Sequence, residues 1–192
     1  SIIDREGGVI GFDTGPANCL LDAWIRRHRG EALDRDGAWA GCGSVDPLLL
    51  QTLLADPYFG QRGPKSTGIE YFNLAWLQPL LRRSRPGDHP LTPADVQATL
   101  AELTAATVAD AIRPFAPADI LVCGGGVHNG DLLRRMRRRL ADSPLRSTAA
   151  AGLDRSSLLA YAAGLGISEQ TWDAASHAWT ARLRGDMPLG VH

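Results

Sequence analysis

The residues best placed to do chemistry lie near the start of the chain, in Gly11-Phe12-Asp13-Thr14-Gly15-Pro16-Ala17-Asn18. The apolar pair Val9-Ile10 precedes them and reads as strand, while Cys19-Leu20-Leu21-Asp22-Ala23-Trp24-Ile25 follows with helical spacing. A strand-to-turn-to-helix junction offers backbone N–H groups and a positive helix end to an anion. Gly15 permits a tight turn, and Pro16 suits a turn or a first helical position. Asp13 falls at the carboxyl end of the strand, where open α/β sheets bind ligands. A carboxylate beside an anion site has a purpose if it takes a proton, holds a metal or orients a water. Otherwise Asp13 merely caps the turn and Gly15 is an ordinary turn glycine. A second junction follows later. Asp119-Ile120-Leu121-Val122-Cys123 reads as a buried strand feeding Gly124-Gly125-Gly126-Val127-His128-Asn129 and a helix through Asp131, Leu132, Leu133, Met136 and Leu140. Adjacent glycines let a flat ligand lie against bare backbone, and the next N–H groups suit a phosphate. His128 reads as a turn-capping or surface histidine unless it is catalytic.

The elements between these junctions must position them. Ser1 to Asp4 and Val9 to Asp13 flank a Gly7-Gly8 turn and predict a β-hairpin. A helix is expected from about Asn18 to His28, with Leu20, Leu21, Trp24 and Ile25 on one face, stopped by Gly30. Asp34-Arg35-Asp36-Gly37 loosely matches the opening of a calcium loop, but the rest of that pattern is missing, so a solvated turn is expected. Pro47 to Ala55 predicts a short helix, ended by Asp56-Pro57, and Pro57 to Gly68 a long loop. Within that loop, Lys65 stands beside two hydroxyls in Pro64-Lys65-Ser66-Thr67-Gly68 and can reach a phosphate or a sugar hydroxyl. On this pentapeptide alone, an exposed loop lysine is the simpler reading.

Glu70 to Leu81 predicts a helix with Phe72, Trp76 and Leu80 in the core, and Arg82 to Pro90 a basic loop. Thr92-Pro93-Ala94-Asp95 is a strong helix start, and the spacing of Val96, Leu100, Leu103, Val108 and Ile112 carries that helix to about Arg113. The five arginines between Arg134 and Arg139 spread around a helix and read as a solvated face. Ser143 to Ala163 gives no clear period, and Ser168 is expected to cap a last helix containing Trp172, Ala175, Trp179 and Leu183.

Composition narrows the class. With 192 residues, 44% apolar and 21% charged, the chain reads as a soluble globular domain with one good core, and its two strand–glycine–helix junctions predict an α/β fold. A formal net charge of −1 gives no whole-chain electrostatic case for nucleic acid. Cys19, Cys42 and Cys123 are widely spaced and form no CxxC pair, which argues against a zinc site or a disulfide framework and for reduced thiols in the cytoplasm. No apolar run approaches the ~20 residues of a membrane span. Ser1 and His192 both look like cut ends.

The octet from Gly11 to Asn18 resembles the second phosphate motif of the actin-like ATPase superfamily and, more narrowly, the signature of anhydro-N-acetylmuramic acid kinases, which usually have Gly at the position of Ala17. Pro64 to Asn73 resembles the same family, which commonly has a basic residue at the position of Ile69. The string Val122-Cys123-Gly124-Gly125-Gly126-Val127-His128-Asn129 resembles its adenosine motif, usually written with Ala at the position of Val127. A fainter fourth match puts Asp173 where the family carries Glu before small and aromatic residues; an amphipathic helix is the alternative there. The resemblance implies an actin-like (ribonuclease H-like) ATPase lobe, a central mixed sheet with helices packed around it.

It also implies that residues 1–192 are the C-terminal lobe of a two-lobe kinase, since the family's first phosphate loop, of the Met-Ser-Gly-Thr-Ser-x-Asp-Gly type, does not occur in the chain. The implied activity uses ATP and Mg²⁺, with no residue of this chain assigned as metal ligand. Water opens 1,6-anhydro-N-acetylmuramic acid, and O6 is phosphorylated to N-acetylmuramic acid 6-phosphate for cell-wall sugar recycling. The resemblance makes Asp13 the catalytic base. It places the nucleotide at Thr14, Gly15, Gly124, Gly125, Gly126 and Asn129, and the sugar at Lys65 and Asp173. The partners implied are the sugar and ATP, with no nucleic acid and no membrane. The isolated chain is expected to fold, to lack activity and to self-associate through an exposed lobe interface, in the simplest case as a homodimer. Two other classes stay open: a nucleotide clamp of the heat-shock 70 kind that ignores sugar, and a non-catalytic paralogue.

Overall fold

A computed structural model describes residues 2–3, 9–61, 64–68, 70–84, 91–117, 119–148 and 181–184. The predicted hairpin forms as β1 (Ile2–Ile3) against β2 (Val9–Ile10), antiparallel, with Ile2 opposite Ile10. Its strands are shorter than the spacing suggested, and its Gly7-Gly8 turn lies outside the described residues. Next come α1 (Cys19–Arg29), α2 (Ala38–Cys42), α3 (Pro47–Leu54), α4 (Pro57–Gly60), α5 (Leu74–Ser84) and α6 (Pro93–Ile112). The chain then forms β3 (Ile120–Val122), α7 (Gly130–Arg139), β4 (Leu145–Ser147) and β5 (Ala181–Arg184). The strands make one mixed sheet in the order β2-β1-β5-β3-β4.

The pairing directions have a consequence for function. β2 is antiparallel to β1, β1 is parallel to β5, and β5 is antiparallel to β3. Hence β2 and β3 run the same way, and both glycine turns leave the sheet at the same end of its strands. Three inter-strand steps separate them, about 14 Å across the sheet.

The helices gather around α6. Thr92 caps it by accepting the Asp95 N–H at 3.2 Å, and Pro93 supplies its first turn. The one-sided apolar stripe read from the sequence is only part of its buried surface. Gln97, Thr99, Thr104 and Thr107 are buried as well, because α1, α2, α3 and α7 pack on different sides. Its threonines satisfy themselves and their neighbours: Thr99 Oγ1 donates to Asp95 O at 2.7 Å and accepts from the Asp46 N–H at 2.9 Å.

Several local expectations change. A helical turn, α4, interrupts the supposed loop after Asp56, because Asp56 accepts the Tyr58 N–H at 2.9 Å and Pro57 starts the turn. The helix expected from Glu70 starts at Leu74, where Asn73 Oδ1 accepts the Trp76 N–H at 3.0 Å, and continues to Ser84. Asp34 is no solvated turn residue. It is buried, and its two oxygens accept the N–H groups of Trp39 and Ala40, each at 2.9 Å. The α7 arginines do not form a uniform solvated face either: Arg135 is buried and bonds Asp131 at 2.6 Å and Glu102 at 2.9 Å. Leu183 belongs to a strand rather than to the end of a helix, because β5 fills the gap between β1 and β3. The remainder of that expected last helix, Asp173 included, lies outside the described residues, as does the basic loop from Arg85 to Pro90.

Candidate active site

Asp13 is half-buried, three residues beyond the end of β2, and the Pro64–Gly68 loop folds over it. Its backbone N–H donates to Lys65 O at 2.9 Å. Its side-chain Oδ2 accepts from the Ser66 hydroxyl at 3.1 Å and from the Thr67 N–H at 2.9 Å. Among the described residues no donor reaches Oδ1. The Tyr58 hydroxyl donates to the Asp13 carbonyl at 2.9 Å. Burial of this phenol, with the nearby Asp13 charge, pushes its pKa up to about 12, so it stays a proton donor at neutral pH.

The Lys65 ammonium is not an exposed loop cation. It donates to the carbonyls of Tyr58 at 2.8 Å and Gln61 at 3.4 Å, and lies 4.5 Å from the centre of the Tyr58 ring. Partial burial holds its pKa below the usual lysine value. The floor beneath is aromatic: Tyr58, Phe59 and Trp76 each meet Phe72 at centroid distances of 5.0 to 5.5 Å. Asp56 ties this floor together by accepting from Tyr71 at 2.9 Å and Trp76 at 2.8 Å.

Gly15 is needed for close approach. A Cβ there would stand 3.0 Å from the Phe59 ring and 3.2 Å from Thr107 Oγ1. Ala17 adopts φ 48°, a left-handed conformation that suits glycine, and its carbonyl accepts from Thr104 at 2.8 Å. Among the described residues nothing accepts from the backbone N–H of Thr14 or Gly15. Beside this turn opens an apolar cleft of about 660 Å³, lined by Phe12, Thr14, Phe59, Lys65, Ala111 and Phe115 among others.

The second turn is built differently. Gly124 has φ 79°, and Gly124 and Gly125 are exposed. A Cβ on Gly125 would meet nothing within 4 Å, so bare backbone faces open space. Asn129 is buried and its Oδ1 accepts the Leu132 N–H at 3.0 Å, capping α7. The Asp36 carboxylate accepts the Gly130 N–H at 2.9 Å, at the positive end of α7. Gly37, at φ 66°, packs so tightly on Asn129 and Asp131 that no side chain fits between them. The Asp34–Gly37 segment therefore buttresses the second glycine turn. His128 is exposed.

The structure thus groups Asp13, Thr14, Gly15 and Lys65 in one cluster and Gly124, Gly125, Gly126 and Asn129 in another. Ser66, Thr67 and Tyr58, all in contact with Asp13, were not singled out from the sequence as site residues. The two hydroxyls beside Lys65 stand out in the sequence, but it is the Ser66 hydroxyl and the Thr67 backbone N–H that reach Asp13, 53 and 54 positions away along the chain. Among the described residues no three His, Cys, Asp or Glu side chains gather as a metal site, and no helix is long and apolar enough to cross a membrane.

A family model described as anhydro-N-acetylmuramic acid kinase matches residues 1–168. The chain belongs to the anhydro-N-acetylmuramic acid kinase family. Curated relatives that bear this name include one from Xanthomonas campestris pv. campestris (strain 8004), 54% identical over 156 residues, which is 80% of this chain and 40% of the relative. One from Pseudomonas syringae pv. tomato is 48% identical over 156 residues, covering 80% of this chain and 42% of the relative. One from Ralstonia nicotianae is 43% identical over 183 residues, covering 93% of this chain and 43% of the relative. The chain spans about two-fifths of the length of the curated relatives it matches.

Proposed function

We propose that this chain is the C-terminal, actin-like ATPase lobe of a kinase that opens 1,6-anhydro-N-acetylmuramic acid with water and phosphorylates its O6. The observation that carries the reading is the shared end of the sheet. Asp13, just beyond β2, and the bare glycine turn after β3 leave the sheet at the same end of its strands, as a nucleotide reaching from one to the other requires. Family membership supports these substrates.

The residues present fit ATP, and Mg²⁺ would come held mainly by its phosphates. Gly125 leaves open space against bare backbone for a flat adenosine, with Gly124 and Gly126 beside it. The N–H groups of Thr14 and Gly15 suit phosphate oxygens, and Asp13 Oδ1 is open to water. When bound, Mg²⁺ would neutralise charge on the transferring phosphoryl group. Asp13 takes a proton from water as the water oxygen bonds to the anomeric carbon. The bond from that carbon to O6 breaks, and O6 accepts the γ-phosphoryl group as ADP leaves. The product is N-acetylmuramic acid 6-phosphate, an intermediate of cytoplasmic cell-wall sugar recycling. Lys65 enters this reading as an anchor of the loop rather than a sugar contact, because backbone carbonyls engage its ammonium.

The test uses the full-length protein. Asp13→Asn keeps the shape but cannot take the proton, so sugar-dependent ADP release should fall about 10²–10⁴-fold while ATP binding, measured by calorimetry, survives. Turnover like the wild type would remove Asp13 from the mechanism. Wild-type protein that binds ATP but ignores the sugar would be a nucleotide clamp, and one that binds neither an inert paralogue.

A further inference from the structure

Resting on the assignment of Asp13 as base, we propose that Ser66 is a positioning residue that locks the Asp13 carboxylate in one rotation. An aspartate carboxylate turns easily about its last bond, because that torsion is broad and roughly two-fold. Left alone, it would aim a lone pair at the attacking water for only part of the time. Here two donors, the Ser66 hydroxyl at 3.1 Å and the Thr67 N–H at 2.9 Å, meet on the same oxygen, Oδ2. Charge-assisted bonds of this kind are the stronger sort. They hold Oδ2 and leave Oδ1 as the proton acceptor.

The loop that presents these donors is fixed through a closed circuit. The Asp13 N–H holds Lys65 O, the Lys65 ammonium holds the Tyr58 and Gln61 carbonyls, and the Tyr58 hydroxyl returns to the Asp13 carbonyl. The serine hydroxyl therefore arrives at Oδ2 from a frame built by Lys65 and Tyr58, the latter 45 positions away from Asp13. Ser66 itself is exposed, so its hydroxyl contributes little to the stability of the fold. Its reach to Asp13 is then a matter of aim, and misplacement by a fraction of an ångström is costly in a reaction that depends on alignment.

The experiment compares Ser66→Ala, Ser66→Thr and Asp13→Asn in the full-length enzyme by steady-state kinetics with ATP, Mg²⁺ and the anhydro sugar, alongside thermal unfolding. Ser66→Ala should lower kcat about tenfold with both KM values within about twofold and an unchanged unfolding midpoint. Ser66→Thr, which keeps a hydroxyl, should recover most of the rate. Wild-type kcat in Ser66→Ala beside an inactive Asp13→Asn overturns the positioning role and leaves the base assignment standing. Full activity in Asp13→Asn removes the base assignment itself. A raised sugar KM at unchanged kcat makes Ser66 a binding residue instead. A loss that tracks the folded fraction, without rescue by threonine, reduces it to a structural one.

Discussion

Glu102→Ala should loosen the helix that carries the second glycine turn. Glu102 lies in the middle of α6 with its side chain 13% exposed, and it accepts from Arg135 at 2.9 Å and from Arg139 at 2.7 Å. Arg135 is 6% exposed, so it cannot turn to water when the carboxylate is removed. Breaking a buried pair from one side costs about 3–5 kcal/mol when the surviving charge is left uncompensated. Arg135 keeps Asp131 at 2.6 Å, which should hold the loss to about 2–3 kcal/mol. In urea denaturation of the 192-residue chain, followed by circular dichroism, that loss lowers the midpoint by about 1 M.

The pH dependence gives an independent check on the same pair. Burial alone would raise the Glu102 pKa, but the hydrogen bonds from Arg135 and Arg139 outweigh it and hold the carboxyl below its ordinary value of 4.5. A depressed carboxyl contributes stability that is complete above its unfolded value and is lost as pH falls through the folded one. The gap between wild type and variant should therefore be constant near neutrality and close below pH 4.5. A midpoint shift under about 0.3 M, or a gap that stays the same into acid, would refute the reasoning. Arg137→Ala, on the exposed side of α7, is the control and should change stability by no more than about 0.5 kcal/mol.

Three further outcomes are expected. Gly37→Ala, at a φ of 66° and with its new carbon overlapping Asn129 Oδ1, should displace the α7 cap and weaken ATP binding of the full-length protein in calorimetry; unchanged affinity would separate this buttress from the nucleotide. Ala17→Gly should relieve roughly 1–2 kcal/mol of left-handed strain. Against this stands roughly 0.5–1 kcal/mol of added chain entropy, so the thermal midpoint should hold or rise by a few degrees, and a fall would contradict the strain. If the chain is one lobe of two, as proposed, the isolated 192-residue chain should fold yet show negligible kinase activity with ATP, Mg²⁺ and anhydro sugar, because a single lobe would not enclose the transferring phosphoryl group. Turnover near the ~10 s⁻¹ typical of enzymes would overturn the two-lobe reading.

Local chemistry determined much of this protein by itself. The helix starts at Thr92 and Pro47, the stop at Gly30, the buried strand before Gly124 and the apolar face of α1 each follow from residues a few positions apart. So does the presence of two glycine turns, each between a strand and a helix. What tertiary structure alone decided depends on partners distant in sequence. Arg135 is buried because Glu102, 33 positions earlier on another helix, meets it; a count of arginines around α7 contains no trace of that carboxylate. Asp34 is a cap rather than a solvated turn because Gln97 and the start of α2 close over it. Helical spacing places Leu183 in a helix, but sheet pairing with β1 and β3 outweighs that weak local preference. The site shows the same division. Asp13 stood out in its own octet, whereas the serine and the backbone N–H that orient it reach it only when a loop more than fifty residues away folds back over the strand end.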